Sequence, residues 1–229
     1  MPIIHNNNDI SIITIDGPSG TGKGTLCLML GEYLQWHVLD SGVLYRVLAL
    51  LAQQKNIAYD DTQQLCYLAK HLNVAFLREP QQPIQVFLDN INITTEIRNE
   101  VCGNNASKIA AIFAVRQELI MMQRQFAKLP GLVTDGRDMG TVIFPQAQIK
   151  IYLDATMEER AQRRYLQLQE QEINVSLAVI IDELKKRDCR DTQRAHAPLV
   201  AAANAIHIDT TRFTIVQTFD YVLQLLGMK

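Results

Sequence analysis

Four of the chain's 11 glycines fall in one short stretch, Gly17-Pro18-Ser19-Gly20-Thr21-Gly22-Lys23-Gly24-Thr25. The spacing from Gly17 to Gly22 and Lys23 is Gly-x-x-x-x-Gly-Lys. An apolar β-rich run precedes it and a helical pattern follows, which is the context a phosphate-binding loop requires. Glycines let successive amides turn inward around phosphate oxygens, the helix start adds positive potential, and Lys23 supplies a point charge to the β and γ phosphates. The competing reading is a glycine-rich turn with no ligand. Strand, lysine and helix together favour the phosphate loop. In one respect the stretch departs from the motif: where a magnesium-ligating Ser or Thr usually follows the lysine stands Gly24, and the hydroxyl comes one place later, at Thr25.

A phosphate loop by itself is shared by kinases, GTPase switches and motor ATPases. The chain contains neither a D-x-x-G switch segment nor an N-K-x-D guanine reader. It has instead further arginines at Arg46, Arg137, Arg160, Arg163, Arg164, Arg187 and Arg194, a set suited to a second phosphorylated ligand. For any single arginine on a helix the alternative is a solvated surface charge. That alternative weakens for Arg46 and Arg137, each just beyond a strand end, where the ligand crevice of an α/β sheet lies. Arg160, Arg163 and Arg164 could equally lie on an exposed amphipathic helix. Around Lys185, Lys186, Arg187, Arg190 and Arg194, the acids Asp182, Glu183, Asp188 and Asp191 nearly cancel the charge, which argues against a nucleic-acid patch.

Five β-rich runs position these groups: Ile10-Ile15, His37-Leu39, Leu132-Thr134, Ile149-Leu153 and Ala205-Ile208. Each is nearly continuous in apolar residues, as strands covered on both faces are, and each leads into an aspartate: Asp16, Asp40, Asp135, Asp154 and Asp209. Helical patterns follow, one opened by Thr156 with Glu159 as a capping box. Repetition of strand, polar turn and helix predicts an α/β fold with a five-stranded parallel sheet, its site at the carboxyl edge. About ninety residues separate Asp40 from Leu132, whereas a β-α-β unit needs roughly thirty. Something is inserted there. Val74-Phe76, Ile84-Leu88 and Ile91-Thr94 read as short antiparallel strands with a turn at Asp89-Asn90, Asp61 with Gln64 as a helix cap, and Ile97 to Lys128 as largely helical.

At 229 residues and 48% apolar content the chain can build its own core, which excludes a disordered or fibrous protein. A net charge of −2, from 22 basic and 24 acidic residues, provides no general field for nucleic acid or an anionic membrane. Cys27, Cys66, Cys102 and Cys189 form no CxxC pair and no zinc spacing, so reduced thiols in a cytoplasmic protein are expected. No apolar run approaches the roughly 18 residues of a membrane helix, and MPIIHNNND lacks the form of a signal peptide. Nothing in the residues points to an obligate protein partner.

Several blocks together resemble the bacterial cytidylate kinase family. They are Thr14-Ile15-Asp16-Gly17-Pro18-Ser19-Gly20, Asp40-Ser41-Gly42 with Tyr45-Arg46, Asp135-Gly136-Arg137-Asp138-Met139-Gly140, and Arg187-Asp188 through Asp191 to Arg194. The Gly22-Lys23-Gly24-Thr25 wording resembles the wider nucleoside monophosphate kinases. The blocks keep the family's order and span Ile10 to Leu226. The resemblance implies transfer of the γ-phosphoryl of ATP to CMP or dCMP, with Mg2+. It also implies a single P-loop kinase domain over residues 1–229, with helices on both faces of the sheet. Within it would lie a small α+β nucleotide-binding insert at about 55–105 and a lid at about 160–175.

Carried over by resemblance, Lys23, Arg137 and Arg194 are catalytic. Gly17 to Thr25 hold ATP beneath a lid bearing Arg160, Arg163 and Arg164. Ser41, Arg46 and Arg137 meet the acceptor phosphate, with Arg194 closing over it. Ser107, Arg116 and Asp138 read the cytosine edge, and Arg187 and Asp191 meet the sugar. Thr25 and Asp135 are the magnesium candidates, directly or through water. Asp135 reads equally well as a structural residue at a strand end. Two rival readings stay open: a P-loop kinase for another small acceptor such as shikimate, and a regulatory module without turnover. The second would lack the acceptor-side groups, yet Arg46, Arg137, Asp138 and Arg194 are present.

Overall fold

A computed structural model describes residues 10–77, 84–170 and 172–228. The opening nine residues, read above for targeting, lie outside the described residues, as do 78–83 of the expected insert and 171 of the expected lid. In chain order the elements are β1 (Ser11–Asp16), α1 (Lys23–Leu34), β2 (His37–Asp40), α2 (Ser41–Gln54), α3 (Thr62–Lys70), β3 (Val74–Leu77), β4 (Gln85–Leu88), β5 (Ile91–Asn92), α4 (Glu100–Ile109), α5 (Phe113–Arg124), β6 (Gly131–Gly136), β7 (Ile149–Asp154), α6 (Met157–Glu170), α7 (Leu177–Thr192), β8 (Ile206–Asp209) and α8 (Ile215–Leu225). They fall into two units, Met1–Asp40 with Arg124–Lys229, and Ser41–Gln123.

The first unit carries the five-stranded sheet, ordered β2-β6-β1-β7-β8, with every pair parallel. All six residues of β1 and of β6 are buried, which requires cover on both faces and explains their continuous apolar runs. On one face Ile13, Ile15, Val133, Ile151, Leu153 and Ile208 pack with Leu26, Cys27 and Leu30 of α1 and Val222, Leu223 and Leu226 of α8. Trp36 closes that cluster, and Gly131 lies so near it that a Cβ there would stand 2.4 Å from the indole. Register aligns the strand ends: Asp40 stands beside Asp135, and Asp154 beside Asp209. Succession reverses direction at β1, and a crevice outside its carboxyl end follows from that topology. Helices α6 and α7 share a small core of Ala161, Leu168, Ile180 and Leu184.

The second unit is an antiparallel sheet, β3-β4-β5, with helices α2, α3, α4 and most of α5. Asp89 and Asn90 both take positive φ, 49° and 67°, which is the turn chemistry a tight hairpin needs. Asp61 caps α3 by accepting from the Gln64 amide at 3.0 Å, as the sequence reading expected. Ile97 to Lys128 is largely helical, as expected, but in separate helices rather than one. Helix stops after Ile109 and restarts at Phe113, and Arg116 folds back to donate to the Ala110 carbonyl at the break. The capping box expected at Thr156 is only half present. Thr156 accepts from the Glu159 amide at 3.4 Å, while the Glu159 carboxylate pairs with Arg163 at 2.8 Å. A complete box forms instead at Thr214 and Gln217, opening α8.

Candidate active site

The glycine-rich stretch leaves the end of β1 and enters α1, so its backbone is set by the sheet behind it. Gly17 has φ 146°, and a Cβ there would come within 2.0 Å of the Leu153 carbonyl oxygen, so only glycine passes. Gly22 precedes α1 in the left-handed region, φ 89°, with no side chain capping the helix. The first-turn amides of α1 thus remain for an anion. Lys23 is buried, 6% exposed, and its Nζ donates to the Pro18 carbonyl at 2.5 Å and to Thr21 Oγ1 at 3.4 Å. Burial lowers its pKa, and Arg137 lowers it further against the pull of Asp135, Asp16 and Asp40. An added anion would therefore favour its charged form. A Cβ at Gly24 would meet nothing within 4 Å, and Thr25 is exposed.

Behind the lysine stand the strand-end carboxylates. Asp135 is buried, one of its oxygens, Oδ1, has no hydrogen-bond partner, and burial followed by the charge of Asp40 pushes its pKa well up. Asp16 accepts from the amides of Met139 and Gly140, both at 2.8 Å. Among the described residues no group of three or more His, Cys, Asp and Glu is placed to hold a metal. The unpartnered Asp135 oxygen suits a hard cation or the water bound to one, so the residues fit a magnesium that arrives with a nucleotide's phosphates.

Arg137 joins the loop to α7. Its Nη2 donates to Ser19 Oγ at 2.7 Å and its Nε to Asp191 at 2.7 Å, while Asp191 also pairs with Arg194. Burial disfavours the Arg137 charge, yet Asp191, Asp135 and Asp188 together hold its pKa above the ordinary arginine value. Burial would raise Asp191, but Arg137 and Arg194 outweigh it and pull its pKa down. A carboxylate between two guanidiniums leaves net positive charge beside the loop, where a phosphoryl group would stand. Asp138 is buried immediately after Arg137, and Arg187 lies partly buried one turn before Asp191.

The three arginines of α6 have distinct surroundings. Arg160 is buried, donating to the carbonyls of Ala155 at 3.1 Å and Ser19 at 3.0 Å and pairing with Asp188 at 2.7 Å. Arg163 holds the segment after β8 through Thr210 and Phe213 carbonyls, at 2.6 and 3.2 Å. Arg164 donates to Gln167 at 2.5 Å. Helix α6 runs from Met157 to Glu170, so residues 160–170 of the expected lid are helical.

In the second unit Ser41 is buried at the start of α2. Arg46 donates to the Ile97 and Asn99 carbonyls at 2.7 and 3.2 Å. Arg116 is buried with its guanidinium 5.6 Å from the Tyr45 ring centroid. Ser107 Oγ is buried and has no hydrogen-bond partner.

A family model described as cytidylate kinase matches residues 13–227. A cytidylate kinase of Erwinia tasmaniensis is 50% identical over 212 residues, 93% of each chain. One of Sodalis glossinidius is 53% identical over 204 residues, 89% of each. The chain belongs to the cytidylate kinase family. A crystal structure of an uncharacterized protein from Eubacterium ventriosum covers 96% of this chain and 100% of its own at TM-score 0.52 and 12% identity, a likeness of fold alone.

Some features of this cytidylate kinase family member escaped sequence reasoning. The Asp16 bonds to Met139 and Gly140 cross 123 and 124 residues, and no local spacing marks them. The turn they enter, Met139–Ile143, is π-helical, too short to show a period. Thr210, which accepts from Arg163 and donates to the Asp154 carbonyl at 3.0 Å, carries no motif either. One available signal was the Asp16-Gly17 pair itself, a carboxylate where a strand end is buried.

Proposed function

We propose that this kinase transfers the γ-phosphoryl group of ATP to the phosphate of CMP or dCMP, giving ADP and CDP or dCDP. The observation carrying the reading is the joined set in the first unit. Buried Lys23 lies inside the glycine loop, and Arg137 ties that loop's Ser19 to Asp191 and Arg194. The acceptor oxygen is already an oxyanion, so no strong base is needed and no covalent intermediate forms. The chain must hold two anionic groups in line, screen their repulsion and keep water out.

Lys23 and the α1 amides bind the donor phosphates, and Arg137 and Arg194 stabilise charge on the migrating group. By family resemblance Ser41 and Arg46 bind the acceptor phosphate, Ser107, Arg116 and Asp138 read cytosine, and Arg187 and Asp191 meet the sugar. The buried, unpartnered Ser107 hydroxyl supports a reading role, since it is short of one hydrogen bond. Asp135, with Thr25 as the second candidate, would hold Mg2+ directly or through water, and the ion would neutralise donor charge. By family resemblance Arg160, Arg163 and Arg164 belong to the lid over ATP, and Arg160 and Arg163 would act through the backbone they hold. The insert at about 55–105 as nucleotide-binding element and 160–175 as lid belong to the same proposal, as does a cytoplasmic setting, which the four free cysteines support. No helix among the described residues is long and apolar enough to cross a membrane.

The test is ADP release with CMP, dCMP, UMP, AMP and shikimate supplied singly. The reading expects CMP and dCMP to lead by about 100-fold in kcat/KM, because uracil leaves buried polar groups unpaired. A lead by shikimate or AMP would replace it with the rival kinase, and release with no acceptor dependence would replace it with an ATPase.

A further inference from the structure

Asp16 is 4% exposed, ends β1 directly before the glycine loop, and has no role in the chemistry above. Its two oxygens accept separately, Oδ1 from the Met139 amide and Oδ2 from the Gly140 amide, each at 2.8 Å. These amides open the π-helical turn Met139–Ile143, whose own bonds run from the Val142 and Ile143 amides back to the Asp138 carbonyl. Arg137 and Asp138 stand immediately before the clamped pair. From the other side Arg137 is tethered to Ser19 and Asp191. Gly140 has no slack, since a Cβ there would lie 2.8 Å from Thr14 Oγ1 and 3.2 Å from the Lys150 side chain.

We infer that Asp16 is a positioning residue whose carboxylate, by gripping the consecutive amides of Met139 and Gly140, sets where Arg137 and Asp138 stand for acceptor recognition. The inference rests on the cytidylate kinase reading. A carboxylate suits the task because both its oxygens accept, and charged acceptors make the shorter, stronger bonds. An asparagine would turn an NH2 group toward one of the amides. Asp16 is also an expensive way to fill the place. Burial pushes its pKa up to about 6 against the two amide bonds, and Asp138 adds like charge. A residue kept for packing alone would be neutral.

The experiment compares full-length wild type with Asp16→Asn and Asp16→Glu in steady-state kinetics on CMP and UMP, and measures binding of a fluorescent ATP analogue. A charge effect alone has the opposite sign to a clamp, because removing a negative group beside anionic substrates tightens both. For Asp16→Asn the clamp predicts a CMP KM at least about tenfold higher and a CMP/UMP ratio at least about tenfold lower, with ATP-analogue affinity within about threefold of wild type. Asp16→Glu keeps the charge but displaces the acceptors, so it loses discrimination too. Wild-type CMP KM and discrimination in the Asn variant would overturn the inference, as would equal losses for ATP and CMP. Should neither variant fold, trans-hydrogen-bond 15N–13C couplings in wild type decide. Couplings from the Met139 and Gly140 amides to the Asp16 carboxyl carbon support the clamp, and their absence overturns it. Failure of wild type to phosphorylate CMP would sink the functional reading while leaving those couplings unaffected.

Discussion

The two units hold their candidate ligand groups in different ways. Around the phosphate loop the cationic groups and Asp16 are bound by other residues of the same unit, Lys23 by Pro18, Arg137 by Ser19 and Asp191, Arg160 by Ser19 and Asp188, Asp16 by Met139 and Gly140, while one Asp135 oxygen is left without a hydrogen-bond partner. In Ser41–Gln123 the arginines rest on backbone carbonyls and a ring, and the Ser107 hydroxyl has no hydrogen-bond partner. Pre-built networks suit a group common to all donors, the triphosphate, because the charge arrangement is ready before reaction. A unit that must distinguish one base from another gains from groups whose bonding is completed only by the right base. On the proposed reading the first unit supplies the transfer chemistry and, through Asp138, part of the acceptor choice, and the second supplies Ser107 and Arg116 for the rest.

The deepest break should come at Lys23. Lys23→Ala should fold, since a buried charge is removed, yet kcat should fall by about 10³-fold or more, about 4 kcal/mol. Near-normal turnover in a rapid-quench assay would end the assignment of the loop. Arg137→Lys keeps the charge but cannot span Ser19 and Asp191 together, and kcat/KM for CMP should drop about 100-fold. A loss seen only in KM for ATP would move Arg137 to the donor side. Ser107→Ala sharpens the contrast from the other unit. It should raise CMP KM about tenfold while leaving ATP KM alone, and a melting curve should show no destabilisation, because an unpartnered buried hydroxyl costs rather than contributes stability. A fall in melting temperature of several degrees would indicate that Ser107 serves packing instead.

A further prediction concerns pH. Asp16 binds its proton more tightly folded, at about 6, than at its ordinary 3.8. The folded state therefore carries the extra proton between these values, and stability falls as pH rises from about 4 through about 6. The loss at Asp16 is on the order of 3 kcal/mol, and Asp16→Asn should lack it. Urea midpoints at pH 5 and 7.5 test this. If the gap between variant and wild type is the same at both, Asp16 does not titrate as its burial requires.

How much of this was legible beforehand differs by region for physical reasons. Five strands, their aspartates and the glycine loop could be read from the residues, because a strand buried on both faces must be apolar and a phosphate loop must be glycine-rich. The insert's hairpin was readable at Asp89-Asn90, where side chains must tolerate positive φ. Its helices were not separable, because the break between Ile109 and Phe113 contains neither Gly nor Pro, and Arg116 stabilises it by reaching back to Ala110. The arginines of α6 were legible as charges and not as partners. Whether a guanidinium faces ATP or the Ser19 carbonyl is decided by groups 141 residues apart. Asp16 was visible as a strand-end acid, but its bonds to Met139 and Gly140 belong to tertiary structure.

Phosphoryl transfer to a cytosine nucleotide can be followed through the phosphorus itself. Wild type is mixed with γ-32P-labelled ATP, Mg2+ and equal amounts of CMP and UMP, and the labelled products are separated by thin-layer chromatography. Label should appear in CDP in step with ADP formation while labelled UDP and inorganic phosphate stay near background. Equal labelling of CDP and UDP, or ADP accompanied by labelled inorganic phosphate without CDP, would contradict selective transfer to a cytosine nucleotide.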